Sequence, residues 1–240
     1  MSGRPRILLD AGCGTGKITL GLIDQIERAD AVDPSDAMLS VARCLPGAAN
    51  AKIRWIHESI ENAPLAPPYG LIVAASSIHW MDLDRTLPRF AIALADDAML
   101  AVLDGDAPVD APWEREETEF MIDFIAAHEG KRPSWWKTAR ERFAEPVLVH
   151  PRFESLGHRL TAPVAFSQSI ADYLKCQHSR ATWSEEILGE KRSAEFDTAM
   201  TGILNRYARD GMLTFEVQTR IEWGRVQRPK SADLGEEPNP

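Results

Sequence analysis

Leu8-Leu9-Asp10-Ala11-Gly12-Cys13-Gly14-Thr15-Gly16 is an apolar run that breaks into three glycines at alternate positions and then enters a helical pattern. Glycines at that spacing let the backbone turn sharply and come close to a ligand, and a helix starting there presents unpaired N–H groups. The stretch reads as a strand–turn–helix unit with something small and polar bound at the turn. Outward from it, residues 6–104 keep one rhythm of short apolar run, Gly or Asp stop and helical pattern. Ile7-Leu8-Leu9 precedes a helix at about 15–28, and Ala31-Val32 precedes one at about 35–44. Ile53-Trp55-Ile56 follows, then Leu71-Ile72-Val73-Ala74, a helix at about 83–95, and a last run at Met99–Leu103. Short buried strands alternating with helices predict a Rossmann-like, doubly wound α/β fold whose mostly parallel sheet carries helices on both faces.

Beyond Asp106 the pattern changes. Trp113, Phe120, Met121, Phe124 and Ile125 fall at helical spacing, and a second helical piece is expected near Trp135–Phe143. Leu160, Ala162, Val164 and Phe166 alternate with Thr161, Pro163 and Ala165, which predicts one strand, at a sheet edge because Pro163 has no N–H for a ladder. Phe196, Met200, Ile203, Leu204 and Tyr207 share one face of a long amphipathic helix. Phe215, Val217, Thr219, Ile221 and Trp223 alternate with Glu216, Gln218, Arg220 and Glu222, predicting one last strand, antiparallel at the end of the sheet and preceded by a turn at Gly211. From Arg228 onward, RPKSADLGEEPNP is expected to be a disordered tail.

The chain has 240 residues, with 27 Lys plus Arg against 36 Asp plus Glu, a net charge of −9. That balance argues against a nucleic-acid partner, which needs a basic surface. No apolar run approaches the ~20 residues that span a bilayer, so no membrane partner is expected. The opening MSGRPRILLD has neither a secretory apolar core nor an amphipathic transit pattern, and the expected location is cytoplasmic. Cys13, Cys44 and Cys176 form no CxxC pair and read as reduced thiols. The six histidines show neither i,i+4 pairing nor HExxH spacing, so no metal is expected.

Two ligands fit the glycine turn. A nicotinamide or flavin dinucleotide would call for GxGxxG, but this turn is GxGxG and Lys17 stands where the third glycine would fall. The stretch LLDAGCGTG instead resembles the first motif of class I S-adenosylmethionine-dependent methyltransferases. That resemblance implies a seven-stranded sheet with an antiparallel last strand and a helical cap, and S-adenosyl-L-methionine as cofactor. It implies that Asp10 lies near the amino-acid part of the cofactor, beneath which Gly12, Cys13, Gly14, Thr15 and Gly16 form the turn. Asp33 in AVDPSDAML, 17 positions past Gly16, matches the second acidic residue, which accepts the ribose hydroxyls, with Pro34 and Met38 beside it. Asp33-Pro34 equally fits a plain helix start, with Asp as N-cap and Pro at N1.

IRWIHESIENAPL resembles the third motif, where Ser59 replaces the family's usual Asp at the adenine, followed by Ile60 and by Glu61 at a frequent Glu. YGLIVAASSIHWMDLD resembles the end of strand four in the type 11 branch, which implies that Ala75, Ser76, His79 and Trp80 lie near the transferred methyl. An imidazole there suits a general base for a hydroxyl acceptor, and an indole face suits the acceptor or the sulfonium. His79 also fits a strand-end histidine held for packing, and Trp80 a buried one. The second half, from TAPVAFSQSIADYLKCQHSRATWS to FEVQTRIEWGRV, resembles actinobacterial small-molecule methyltransferases distantly similar to the trans-aconitate methyltransferases. There Trp113, Trp135, Trp136, His178, Ser179 and Trp183 fall in a cap over the acceptor, His178 as a substrate contact; for each Trp, gluing the cap together is the simpler role.

The organisation expected is one methyltransferase domain over 1–228, with a cofactor-binding core at 1–106, cap and acceptor-side segments mainly at 107–210, the last strand at 211–226, and a disordered tail at 229–240. Family members usually carry a helix before strand one; here that strand starts about six residues from Met1, leaving either a more exposed cofactor or a start that lies upstream. The function expected is methyl transfer to a small-molecule acceptor, O-methylation foremost, by a monomer or homodimer. The alternative is a non-catalytic S-adenosylmethionine-binding protein.

Overall fold

The computed structural model describes residues 5–105, 108–130 and 145–228. In chain order the elements are β1 Ile7–Ala11, α1 Lys17–Leu22, β2 Arg28–Asp33, α2 Asp36–Cys44, β3 Ile53–His57, β4 Tyr69–Ala75, α3 Leu83–Ala93, β5 Leu94–Asp104, β6 Pro108–Val109 and α4 Glu114–Glu129. They continue with β7 Phe153–Leu160, β8 Val164–Ser169, α5 Ile170–His178, α6 Glu185–Leu204, β9 Met212–Val217 and β10 Arg220–Val226. The described residues fall into two compact units. The first draws on residues 5–104, 146–160 and 219–228, and the second on residues 105, 108–130, 145 and 161–218.

The first unit is a seven-stranded sheet in the order β3-β2-β1-β4-β5-β10-β7, parallel except for β10. Leu8 and Leu9 point to opposite faces, and both are fully buried. Leu9 packs with Val32, Ile72, Leu87, Phe90 and Leu100, whereas Leu8 packs with Ile23, Ala29 and Val73. A strand buried on both faces reads as a continuous apolar run, which is why this part of the fold is legible in the sequence. The chain order reverses between β1 and β4, and the crevice outside the carboxyl ends of those strands is where open α/β sheets bind ligands.

Three expectations need correction. The helix expected at 15–28 is only Lys17–Leu22, because the glycine turn uses up residues to Gly16 and β2 begins at Arg28. Ile23 and Ile26 still bury themselves against the sheet, which gives helical spacing without a helix. The strand expected over 160–166 is two strands: Leu160 ends β7 and Val164 begins β8, with Pro163 in the link. Most of β7 was missed because it is an edge strand, exposed along nearly all its length.

The last strand expected at 215–223 is also two. β9 belongs to the second unit and β10 to the first, and the two-residue link Gln218-Thr219 shifts the alternation. Leu213 and Phe215 are buried in β9, but in β10 the buried positions include Arg220 and Glu222, which the pattern placed outward. Glu222 accepts the Val147 N–H at 2.7 Å.

The second unit joins α4, α5 and α6 to a three-stranded antiparallel sheet, β6-β9-β8. Trp113, Met121, Tyr173, Trp183, Phe196 and Phe215 are at its core. Gly189 breaks the helical geometry inside α6. Glu117 is buried among them and accepts from Tyr173 Oη at 2.7 Å and Gln177 Nε2 at 3.3 Å; burial pushes its carboxyl up to about 7. The helical piece expected near Trp135–Phe143, with Trp135 and Trp136, and the tail at 229–240 lie outside the described residues. Among the described residues no helix is long and apolar enough to cross a membrane, and no three His, Cys, Asp or Glu side chains gather as a metal site.

His178 at the end of α5 has both ring nitrogens engaged, Nδ1 with the Trp183 carbonyl at 2.6 Å and Nε2 with Asp197 Oδ1 at 2.7 Å. Two acceptors call for two N–H donors, so these contacts favour the doubly protonated ring. Burial opposes that charge, but the carbonyl and the carboxylate outweigh it and hold the pKa above the ordinary histidine value. The stabilisation is therefore complete below the unfolded pKa and fades as pH rises through the higher folded one. His178→Ala is expected to cost about 1–2 kcal/mol near pH 5.5 and clearly less near pH 9, read from urea midpoints. A gap that widens with pH would contradict this.

Candidate cofactor site

The turn after β1 is built by glycines in left-handed geometry, with φ of 70° at Gly12, 54° at Gly14 and 76° at Gly16. A Cβ on Gly12 would lie 2.4 Å from Ser77 Cβ, and one on Gly16 2.4 Å from the Trp55 ring. A Cβ on Gly14 would meet nothing within 4 Å. The outer glycines are thus packed against the protein, and the middle one borders open space. Gly12 and Cys13 donate their N–H groups to Val32 O at 2.8 and 2.9 Å, tying the turn to the end of β2. Burial holds the Cys13 thiol far above its ordinary pKa, so it is inert. Thr15 is half-buried at the mouth of the turn.

Asp33 ends β2 beside this turn. Its Oδ2 accepts Gly14 N–H at 2.8 Å and its Oδ1 accepts Ser35 N–H at 2.9 Å. Each oxygen keeps a free lone pair, enough for two more donors. The helix-start alternative fails, because the N-cap of α2 is Ser35, whose Oγ accepts Met38 N–H. Pro34 and Met38 are exposed next to it, and the Pro34 carbonyl accepts from His57 Nε2 at 3.0 Å.

Asp10 is almost wholly buried beneath the turn. Its Oδ2 accepts from Thr19 N at 3.1 Å and Thr19 Oγ1 at 2.7 Å, while its Oδ1 is buried with no hydrogen-bond partner. Desolvation pushes its carboxyl up to about 6. A buried carboxylate oxygen left unpaired is costly, so a donor brought to it by a ligand would be well rewarded.

On the far side of the crevice, Ser59 N–H donates to Glu58 Oε1 at 2.8 Å and Ser59 Oγ accepts from Asn62 Nδ2 at 3.1 Å. Ile60 turns its side chain into the core. At the end of β4, beyond Ala75, Ser76 holds a left-handed φ of 51°, a strain of about 1–2 kcal/mol for a residue with a Cβ. Ser77 Oγ then donates to Ala11 O at 2.7 Å, locking this loop onto the glycine turn. His79 and Trp80 follow on a 3₁₀ turn, both exposed, with ring centroids 5.1 Å apart. Trp80 is 70% exposed, so the buried alternative does not hold.

The residues expected from positions 10 to 80 all lie in the first unit, at or just beyond the carboxyl ends of β1, β2, β3 and β4. The described cap residues, Trp113, His178, Ser179 and Trp183, belong to the second, where Trp113 and Trp183 are core side chains and both ring nitrogens of His178 are taken. Sequence reasoning missed Ser77 and Trp55, the residues that press on Gly12 and Gly16, because those contacts join distant positions.

The methyltransferase-domain family matches residues 8–97. The malonyl-acyl-carrier-protein O-methyltransferase of Anoxybacillus flavithermus is 35% identical over 225 residues, covering 87% of this chain and 79% of that protein. The chain belongs to the S-adenosylmethionine-dependent methyltransferases. The Saccharomyces cerevisiae protein CRG1, an S-adenosylmethionine-dependent methyltransferase by name, is 32% identical over 103 residues, and the match spans only 35% of its length. Among solved structures, one from Anaeromyxobacter dehalogenans described as a candidate type II methyltransferase superposes with a TM-score of 0.61 at 21% identity, covering 93% of this chain and 91% of that one. At that identity the likeness speaks for the fold alone.

The donor set fits the cofactor of these methyltransferases. The unpaired Asp10 oxygen suits an ammonium group, the spare lone pairs of Asp33 suit a pair of ribose hydroxyls, and the open side of Gly14 leaves room between them.

Proposed function

We propose that this methyltransferase transfers the cofactor's methyl group to an oxygen of a small-molecule acceptor in the cytoplasm, acting as a monomer or homodimer. The observation that carries the reading is the exposed His79–Trp80 pair beyond the carboxyl end of β4, on a segment that Ser77 ties to Ala11 at the glycine turn. S-adenosylmethionine, when bound, supplies an electrophilic methyl on a sulfonium that loses its positive charge as the methyl leaves. Asp33 holds the ribose hydroxyls, Asp10 faces the amino-acid ammonium, and the Gly12–Gly16 turn lies against the same end. Pro34, Met38, Ser59 and Ile60 border the adenine, with backbone groups at Ser59 standing in for the family's usual Asp side chain. Ala75 and Ser76 border the methyl, and Trp80 walls the acceptor. Alignment and exclusion of water are the protein's main contribution, worth up to ~7–11 kcal/mol of barrier.

The name of the Anoxybacillus relative points to a carboxyl oxygen as one acceptor class. A carboxylate is already deprotonated, so His79 would only bind it; a hydroxyl acceptor needs His79 to take its proton as the oxygen gains the methyl. The test is methyl transfer from labelled S-adenosylmethionine to a panel holding a malonyl thioester, simple dicarboxylates and phenols, by wild type and His79→Ala. For a hydroxyl acceptor, His79→Ala is expected to lower turnover by about 10²–10⁴-fold with unchanged S-adenosylhomocysteine affinity. For a carboxylate, the loss is expected to stay below about tenfold. A His79→Ala protein that no longer binds S-adenosylhomocysteine would contradict the assignment of His79 to the acceptor side.

A further inference from the structure

We propose that Glu61 is a positioning residue, whose carboxylate holds the His79–Trp80 span at a fixed place against the glycine turn. The inference rests on the reading of that span as the acceptor side. Residues 76–82 leave β4 and enter α3, and they are tied down at two ends. At the near end Ser77 Oγ donates to Ala11 O at 2.7 Å. At the far end Asp82 N–H donates to Glu61 Oε1 at 2.9 Å, and Thr86 Oγ1 donates to the same oxygen at 3.4 Å. Between these anchors the backbone bonds only within its own short turn, with Trp80 N–H on Ser77 O and Met81 N–H on Ile78 O, while the Ile78 side chain is buried in the core and Met81 packs beside it. His79 and Trp80 project from it exposed, so their place depends on the two hydrogen-bonded anchors together with the buried Ile78.

The far anchor completes a capping box from outside the helix. Asp82 is the N-cap of α3, and its Oδ1 accepts the Arg85 N–H. In a capping box the return bond to the N-cap amide comes from a Glu or Gln at N3. Here N3 is Arg85, which has no acceptor, and Glu61 from the loop after β3 supplies the bond instead.

Glu61 itself stands on a braced loop. Asn62 and Ala63 return their N–H groups to Ser59 O at 3.0 and 2.9 Å. Arg85 donates to Asn62 Oδ1 at 3.0 Å and Arg54 to Pro64 O at 2.8 Å, while Arg89 and Arg28 donate to the carbonyls of Ala63 and Ala66. Four guanidinium groups thus clamp one short loop. Removing the Glu61 carboxylate leaves these bonds intact, so the loss falls on the buried Thr86 hydroxyl, on Asp82 and on the span it terminates. Displacement of acceptor-side groups by about 1 Å is enough to cost about 10² in rate.

The test compares wild type, Glu61→Ala and Glu61→Gln by amide exchange at Asp82, by the indole N–H resonance of Trp80, assigned with Trp80→Phe, and by calorimetric binding of S-adenosylhomocysteine. In Glu61→Ala the Asp82 amide is expected to lose at least about tenfold of its protection, and the Trp80 resonance to shift or broaden. In Glu61→Gln, whose amide oxygen can still accept, both are expected to return, with S-adenosylhomocysteine affinity within about threefold throughout. Loss of general stability alone would not be rescued in this paired way. An unchanged Asp82 amide and Trp80 resonance in folded Glu61→Ala, or no rescue by Gln, would overturn the proposal. If Glu61→Ala does not fold, the wild-type Asp82 amide decides: protection supports the anchor, and exchange at the rate of an exposed chain overturns it. Failure of the wild type to bind S-adenosylhomocysteine would overturn the cofactor reading and leave the amide and indole results to judge Glu61.

Discussion

Asp33→Ala is expected to weaken S-adenosylhomocysteine binding by about 10²–10³-fold, the largest loss from any single side chain in the crevice. Two ribose hydroxyls donating to one carboxylate are charge-assisted bonds, and such bonds contribute about 1.5–3 kcal/mol each. The same carboxylate also orders the site before any ligand arrives, because Gly14 N–H and Ser35 N–H both end on it. Alanine removes the ligand contact and this preorganisation together. Asp33→Asn keeps one acceptor oxygen and is expected to lose less, on the order of tenfold. Calorimetry with all three proteins checks the order wild type, Asn, Ala. Equal affinity in wild type and Asp33→Ala would remove the ribose assignment.

Gly16→Ala is expected to destabilise the fold by about 2–5 kcal/mol, a large part of the total stability of an ordinary domain. Left-handed geometry at φ 76° costs a residue with a Cβ about 1–2 kcal/mol. The new methyl would also sit 2.4 Å from the Trp55 ring, which cannot swing aside freely because its Nε1 is bonded to Ala48 O at 3.1 Å. Forcing such an overpacked contact adds about 1–3 kcal/mol. Gly14→Ala separates stability from binding. Its φ of 54° carries the backbone cost, but the methyl would enter open space. That variant is expected to lose only about 1–2 kcal/mol in a urea melt while losing most of its S-adenosylhomocysteine affinity. If Gly14→Ala binds like wild type, the open side of the turn is not where the ligand lies.

What the sequence reveals here follows burial. β1, β2 and β4 are legible because they are covered on both faces, and the turn at Gly12–Gly16 because left-handed geometry selects glycine. β7 is not legible, since an edge strand open to solvent carries no apolar run. The alternation at 215–223 misleads because it runs through a link between two sheets, and Arg220 and Glu222 face inward beyond it. Asp10 is visible through its place at a strand end two residues before the first glycine, and Asp33 only through the resemblance to the methyltransferase motifs. Ser77 and the Asp82 anchor on Glu61 are not, because each works through a partner 66 or 21 positions away that no local pattern can pair with it. The Glu117–Tyr173 contact, 56 positions apart, is hidden for the same reason.

The most direct test of the account is calorimetric titration of the wild-type protein with S-adenosylhomocysteine, with a nicotinamide dinucleotide in a parallel cell. The account predicts binding of S-adenosylhomocysteine at about micromolar affinity, near −8 kcal/mol, and no heat from the dinucleotide. Binding of the dinucleotide with silence from S-adenosylhomocysteine would contradict it and return the glycine turn to the other ligand class.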